Sequence, residues 1–134
     1  MTPYSDTPAQ AKRTITPPRG GLLHIVDAAG YSLSGAARLW QETAARLELL
    51  GTVIGMGLLA LHQARLSQWM IFIALMAALL IIEALNTAIE VLTDRISPEW
   101  SIEAKHAKDL GSLAVGITVC LAVGYLGLVL TDML

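Results

Sequence analysis

The sequence has 134 residues, 54% of them hydrophobic, and its mean hydropathy is +0.59. Soluble domains average roughly 45–50% apolar residues, so this composition indicates one small membrane domain. The net charge of −2 and the dispersed Lys and Arg residues offer no broad basic surface, which excludes nucleic-acid binding.

The N-terminal part divides into a tail and an amphipathic helix. Residues Met1 to Gly20 include four prolines among polar residues, which predicts a disordered tail rather than a helix or a secretory signal. From about residue 22 to residue 40, apolar residues recur at helical spacing, while His24, Asp27 and Arg38 point elsewhere. The pattern predicts a helix on the membrane surface, with a cytosolic extension of the first spanning helix as the alternative.

Three hydrophobic segments follow, at about residues 43–62, 69–93 and 107–130. Their lengths match helices that cross a hydrocarbon layer of roughly 30 Å. The first is clearly apolar only from Leu49 to Leu61, so its charged entrance lies near the membrane boundary. The only cysteine, Cys120, lies in the uncharged part of the third segment, Leu110 to Leu130, and is predicted to be a packing residue. We therefore expect residues 21–134 to form one all-α integral membrane domain, with a surface helix and three transmembrane helices.

The distribution of Lys and Arg predicts the orientation in the membrane. Five of these residues precede or enter the first span and three lie between the second and third, whereas Arg65 alone lies between the first and second. By the positive-inside rule, the N-terminus and the second loop are cytoplasmic. In that loop, Ser97 is the predicted N-cap of the third span, with Pro98 at the first helical position.

One face of the second span carries four polar residues at helical spacing: Glu83, Asn86, Glu90 and Asp94. We call this set the polar stripe. An ionised group in hydrocarbon costs about 2.5–3.5 kcal/mol, so the stripe indicates either partners or a purpose. A bound Mg²⁺ ion that also contacts a substrate phosphate is the leading interpretation. The alternative is a structural network in which Lys108 and Arg95 satisfy the acids and Asn86 bonds a neighbouring helix.

Four short segments carry a resemblance to a known family. "EALNTAIEVLTDRI" (Glu83 to Ile96) and "AKDLGSLAV" (Ala107 to Val115) resemble the bacterial integral-membrane diacylglycerol kinase family. "AAGYSLSGA" (Ala28 to Ala36) and "ETAARLE" (Glu42 to Glu48) resemble its surface helix and the entrance to its first span. The resemblance implies a homotrimer in the bacterial inner membrane, with active sites shared between neighbouring subunits and ATP on the cytoplasmic side.

The resemblance also implies a role for individual residues. Glu83 would be the general base that takes the proton from the lipid hydroxyl, and Glu42 and Glu90 would hold Mg²⁺ on the ATP phosphates. The residues expected to contact the nucleotide are Tyr31, Glu42, Glu90, Glu99, Lys108 and Asp109. The residues expected to bind or orient the lipid and the reacting groups are Ala28, Ala29, Gly30, Arg46, Glu48, Glu83 and Asn86. The chain departs from the family pattern at His24 and Asp27, where many members carry Arg and Lys.

The sequence thus predicts an enzyme that uses ATP and Mg²⁺ to phosphorylate the primary hydroxyl of diacylglycerol, with phosphatidic acid as the product. Undecaprenol is the alternative lipid substrate. A small proton- or cation-coupled transporter would also place acids on a membrane helix, but its acids would lie nearer the midplane. A non-catalytic oligomeric scaffold leaves the polar stripe without a purpose. For Tyr31, an interfacial aromatic residue is the alternative to a nucleotide contact.

Overall fold

A computed structural model describes residues 22–134, and the predicted disordered tail, residues 1–20, lies outside the described residues. This part of the chain forms four helices and no strand. The helices are α1 (Leu22–Leu39), α2 (Thr43–Leu61), α3 (Leu66–Ile96) and α4 (Ile102–Leu130). The predicted all-α fold with one N-terminal helix and three spans is therefore confirmed. The chain divides into two compact units between Ser34 and Gly35, and the second unit contains α2, α3 and α4.

The helices α2, α3 and α4 are long and apolar enough to cross a membrane. They contain 19, 31 and 29 residues, with mean hydropathies of 1.6, 2.2 and 2.4 over their best windows. At 1.5 Å per residue, α3 is about 46 Å long and exceeds a hydrocarbon layer of roughly 30 Å. One end of α3 must therefore extend into the polar boundary of the membrane, and the polar stripe occupies that end.

The turn between α3 and α4 differs from the prediction. Ser101, and not Ser97, is the N-cap of α4, because the Ala104 amide donates to Ser101 Oγ at 3.1 Å. Ser97 instead ends α3, and its amide donates to the Thr93 carbonyl at 2.8 Å. The predicted N-cap was wrong because α3 continues beyond residue 93 to Ile96, directly before Ser97 and Pro98. The residue before a proline disfavours helical backbone angles, so α3 stops there and α4 starts later.

The best-packed part of the three-helix unit lies at the end of α3 away from the polar stripe. Leu59, Phe72 and Val129 are buried there, one from each spanning helix. Tyr125 Oη donates to the Gln68 carbonyl at 3.1 Å and joins α4 to α3. These contacts form a distal core that holds the three helices together far from the acids.

Gly55 supplies the space that the distal core requires. A Cβ atom at Gly55 would overlap the ring of Phe72, whereas Gly57 has open space around it. We expect Gly55→Ala to destabilise the protein by about 1–3 kcal/mol, the usual cost of overpacking a core. Thermal unfolding in detergent measures this, with Gly57→Ala as the matched control. Equal unfolding temperatures for the two variants would contradict the packing described here.

The outer faces of the spanning helices are apolar and exposed. Examples on α2 and α3 are Val53, Ile54 and Ile73, and Val123 is one on α4. Cys120 is also exposed, so the prediction that it packs inside the protomer is wrong. Its helix simply turns that side outward, because each spanning helix needs apolar residues on its lipid-facing side as well as in its contacts.

Candidate active site

The polar stripe runs from a buried to an exposed position along α3. Glu83 is 4% exposed and Asn86 is 8% exposed, whereas Glu90 is half-buried and Asp94 is exposed. The four groups follow one helix face because their spacing is close to whole helical turns. Glu83, the carboxylate of the stripe farthest from the C-terminal end of α3, is therefore also the one most shielded from water.

Asn86 links this stripe to α4. Its Nδ2 donates to Glu90 Oε1 at 3.2 Å, while its Oδ1 is buried and has no hydrogen-bond partner among the described residues. Gly111 of α4 lies against the amide, and a Cβ atom there would overlap Oδ1 and lie 3.3 Å from Cγ. The amide thus bonds within α3, and not to a neighbouring helix as the structural-network alternative expected.

The entrance to α2 adds two carboxylates, Glu42 and Glu48, to those of the stripe. We call Glu42, Glu48, Glu83 and Glu90 the acidic cluster. Glu83 interacts electrostatically with Glu90, with Glu42 and with Glu48. Glu42 is the extended residue immediately before α2, and it accepts a hydrogen bond from Arg38 Nη1. Like charges gathered in this way repel one another, so a cation bound among them stabilises the arrangement.

The available donors fit a magnesium ion that arrives with a nucleotide. Among residues 22–134, no group of three or more His, Cys, Asp and Glu side chains is placed to hold one metal ion. Mg²⁺ in nucleotide sites needs only one or two carboxylates, since water and phosphate oxygens complete its shell. Glu42 and Glu90 come from two different segments, and both interact electrostatically with Glu83. Glu90 suits that ligand set directly, and Glu42 would join it when the metal ion replaces Arg38 beside its carboxylate.

A second group of charged side chains surrounds the loop between α3 and α4. A cavity of 340 Å³ is lined by five charged residues, by Trp100 and by smaller neighbours; the charged residues are Asp94, Glu99, Lys105, Lys108 and Asp109. Lys108 Nζ donates to Asp94, and Lys105 Nζ donates to Asp109. Three residues expected to contact the nucleotide therefore share one cavity: Glu99, Lys108 and Asp109.

Two apolar cavities meet the acidic cluster at Glu48. One, of 260 Å³, lies among α2, α3 and α4 and includes Phe72 and Leu126. The other, of 340 Å³, lies between α2 and α3 and includes Met56 and Ile73. Glu48 lines both cavities, and its Oε2 is buried without a hydrogen-bond partner among the described residues. The Glu48 carboxylate therefore lies at the boundary between the acidic cluster and the two apolar cavities.

Comparison with known proteins decides the family. The family model for prokaryotic diacylglycerol kinase matches residues 30–130. A diacylglycerol kinase of Sinorhizobium sp. is 44% identical over 94 residues, which are 70% of this chain and 69% of the relative. Diacylglycerol kinases of Pseudomonas aeruginosa strain PAO1 and Escherichia coli strain K12 are 40% and 34% identical, and the matches cover 83% and 85% of those proteins and 74% and 77% of this chain.

The chain belongs to the prokaryotic diacylglycerol kinase family. It is therefore a kinase, and the resemblance seen in its sequence motifs is confirmed. The transporter and scaffold alternatives lose their ground, since the family match covers the polar stripe and all three spans.

The predictions for the site of this diacylglycerol kinase family member also include five further residues: Ala28, Ala29, Gly30, Tyr31 and Arg46. The first four are exposed residues of α1 and belong to the first compact unit. Arg46 is exposed in the first turns of α2, where its Nη2 donates to Thr43 Oγ1 at 3.1 Å. Their roles stay predictions.

Sequence reasoning missed two features of the candidate site. Lys105 was not singled out, although its position four residues before Asp109 is the spacing of a helical ion pair. Gly111 was not singled out either, because its opposition to Asn86 depends on how α3 and α4 pack. The first signal was visible in the sequence, whereas the second was not.

Proposed function

We propose that this kinase transfers the γ-phosphoryl group of Mg²⁺-bound ATP to the primary hydroxyl of diacylglycerol, giving phosphatidic acid. The observation that carries the proposal is Glu83, a buried carboxylate that interacts electrostatically with Glu42, Glu48 and Glu90. The name diacylglycerol kinase, which the relatives carry, supports the choice of lipid. We place the reaction at the cytoplasmic boundary of the inner membrane, with a cytoplasmic N-terminus.

In the proposed reaction, Glu83 accepts the proton of the lipid hydroxyl while the hydroxyl oxygen forms its bond to the γ-phosphorus. The bond between that phosphorus and the bridging oxygen breaks, and ADP leaves with the electron pair. Bound Mg²⁺ would neutralise phosphate charge, and Glu42 and Glu90 would hold it. Lys108 would contact phosphate oxygens. Phosphoryl transfer asks a protein mainly for alignment and charge stabilisation, so carboxylates and one ammonium group are sufficient tools.

The two ends of the acidic cluster suit the two substrates. The apolar cavities beside Glu48 suit the acyl chains of a lipid, because they are lined by side chains such as Met76 and Leu80. The charged cavity around Lys108 suits a nucleotide, with Glu99 near its sugar or base and Asp109 helping to seat it. A lipid hydroxyl would then approach Glu83 from the membrane side and ATP from the aqueous side.

The direct test is phosphorylation of defined lipids by the purified protein in mixed micelles. We expect radiolabelled ATP to yield phosphatidic acid from diacylglycerol, and EDTA to abolish the product. Undecaprenol, tested in parallel, should be phosphorylated more slowly. Faster phosphorylation of undecaprenol would replace diacylglycerol as the substrate, and product formation in EDTA would remove Mg²⁺ from the proposal.

We further propose that the kinase is a homotrimer with active sites shared between subunits. Lys108 is held by Asp94, which is eleven residues, or about 16 Å, along α3 from Glu83. One phosphoryl group does not span that distance. A site that uses Glu83 from one subunit and Lys108 from another resolves the difficulty, and the exposed apolar faces of α2–α4 are available for subunit contacts.

Mixed trimers test the shared site. Glu83→Gln chains and Lys108→Ala chains should each be nearly inactive alone, and co-assembly after detergent mixing should restore part of the wild-type activity. The physical reason is that some sites in a mixed trimer receive both intact residues. The control is a mixture of the two variants without subunit exchange. No recovery after exchange, shown to be complete by a tagged chain, would place both residues in the same subunit's site.

A further inference from the structure

The ion pair between Lys108 and Asp94 has a consequence for the metal ligand Glu90. Lys108 lies in α4, fourteen residues beyond Asp94 in α3, and its Nζ donates to Asp94 Oδ1. Asp94 follows Glu90 by four residues, so the two carboxylates are neighbours on the same helix face. A cation that reaches Asp94 is therefore one helical turn from Glu90.

The structure shows how these neighbours divide their partners. Glu90 Oε1 accepts from the amide of Asn86 at 3.2 Å, a neutral donor, whereas Lys108 pairs with Asp94. If Lys108 paired with Glu90 instead, its ammonium group would occupy the oxygens that a metal ion requires. The observed division leaves Glu90 with its negative charge available for a cation.

We propose that Asp94 is a positioning residue that keeps Lys108 away from Glu90 and beside the cavity around the α3–α4 loop. This inference rests on the proposed function, in which Glu90 holds Mg²⁺ and Lys108 contacts phosphate. Asp94 and Lys108 both line that cavity, with Glu99 and Asp109. Their side chains are 66% and 39% exposed, and partly exposed ion pairs are weak, so phosphate oxygens can displace Asp94 when a nucleotide binds.

The test measures the Mg²⁺ dependence of phosphorylation at saturating ATP, together with Mn²⁺ binding to the protein with ATP, which requires no turnover. Asp94→Asn keeps the size of the side chain but removes its charge, so Lys108 should move to Glu90 and compete with the metal. We expect the Mg²⁺ concentration for half-maximal activity to rise roughly two- to five-fold, the range set by a partly exposed ion pair. Asp94→Glu keeps the negative charge and should retain the wild-type Mg²⁺ concentration for half-maximal activity. Asp94→Ser provides a second uncharged side chain should the Asn variant fail to assemble.

Two comparisons separate positioning from a general loss of charge or structure. Glu103→Gln removes an exposed acid from the first turn of α4 and should leave the Mg²⁺ dependence unchanged. A Lys108→Gln background should have little activity, so its metal affinity is read from Mn²⁺ binding to the protein with ATP. There Asp94→Asn should add no further rise in the metal concentration for half-saturation, because residues that act through one another are not additive. A wild-type Mg²⁺ curve for Asp94→Asn, or a rise that persists without Lys108, would overturn the inference.

The same measurement on Glu90→Gln separates failure of the positioning role of Asp94 from failure of the proposed Mg²⁺ site. If Glu90→Gln shifts the Mg²⁺ curve and Asp94→Asn does not, the positioning role of Asp94 fails while the proposed metal site stands. If neither variant shifts the curve, the assignment of Glu90 to Mg²⁺ fails, and the role proposed for Asp94 falls with it.

Discussion

Glu83→Gln should slow the phosphoryl-transfer step by about 10²–10⁴-fold, which is the usual contribution of a general base. Glutamine keeps the size and polarity of the side chain but does not accept the proton of the lipid hydroxyl. Glutamine is neutral, so the change leaves no unpaired charge at this buried position. Single-turnover measurements report the chemical step directly, and the KM for Mg²⁺-bound ATP should change little.

Glu83→Asp is the informative companion to this variant. It retains a carboxylate but withdraws it by one methylene group, so we expect activity between that of the wild type and that of Glu83→Gln. Thermal stability in detergent should be similar for all three proteins. Near-normal turnover by Glu83→Gln would show that Glu83 is not the base, and another group would have to take the proton.

Glu90→Gln should weaken the binding of Mg²⁺ by at least about tenfold, since even changes to residues behind a metal ligand typically cost 10–100-fold in affinity. The variant retains an amide oxygen that can still accept from Asn86, so the hydrogen bond within α3 survives. Raised Mg²⁺, or Mn²⁺ in its place, should restore part of the activity. The measurement is the metal dependence of phosphorylation.

A structural network on α3 makes a different prediction for these two variants. If the acids served only to hold helices together, Glu83→Gln and Glu90→Gln would both lower the unfolding temperature of the protein, and extra metal would rescue neither. Thermal unfolding and metal titration on the same preparations therefore separate the two interpretations. Rescue of Glu90→Gln by metal with unchanged stability would support the catalytic one.

The spans were predictable because a membrane helix satisfies its own backbone hydrogen bonds, so length and hydropathy suffice to locate it. The ends of the helices were harder. Ser97 and Ser101 are both good N-cap residues, and the choice between them depended on where α3 stops. Cys120 faces outward for a related reason, since an apolar run carries no information about which side meets other helices.

The site was predictable to the extent that it is local to one helix. Helical spacing aligned Glu83 with Glu90 without any knowledge of the fold. The approach of Glu48 to Glu83 depends on the packing of α2 against α3, and only the family resemblance suggested its role. Likewise, the sequence offered Lys108 and Arg95 as partners for the acids, and packing of α3 against α4 selected Lys108 for Asp94.

The continuity of α3 restricts how this enzyme can change in length. Glu83 and Glu90 keep their alignment only because they are seven positions apart, close to two helical turns, in an unbroken helix. One inserted residue between them would turn the two halves by about 100° relative to each other and send one carboxylate toward lipid. An insertion in the short loop at residues 62–65 would leave that alignment intact. Deletion and insertion scanning should therefore find length variation tolerated between α2 and α3 and lost within the acidic half of α3.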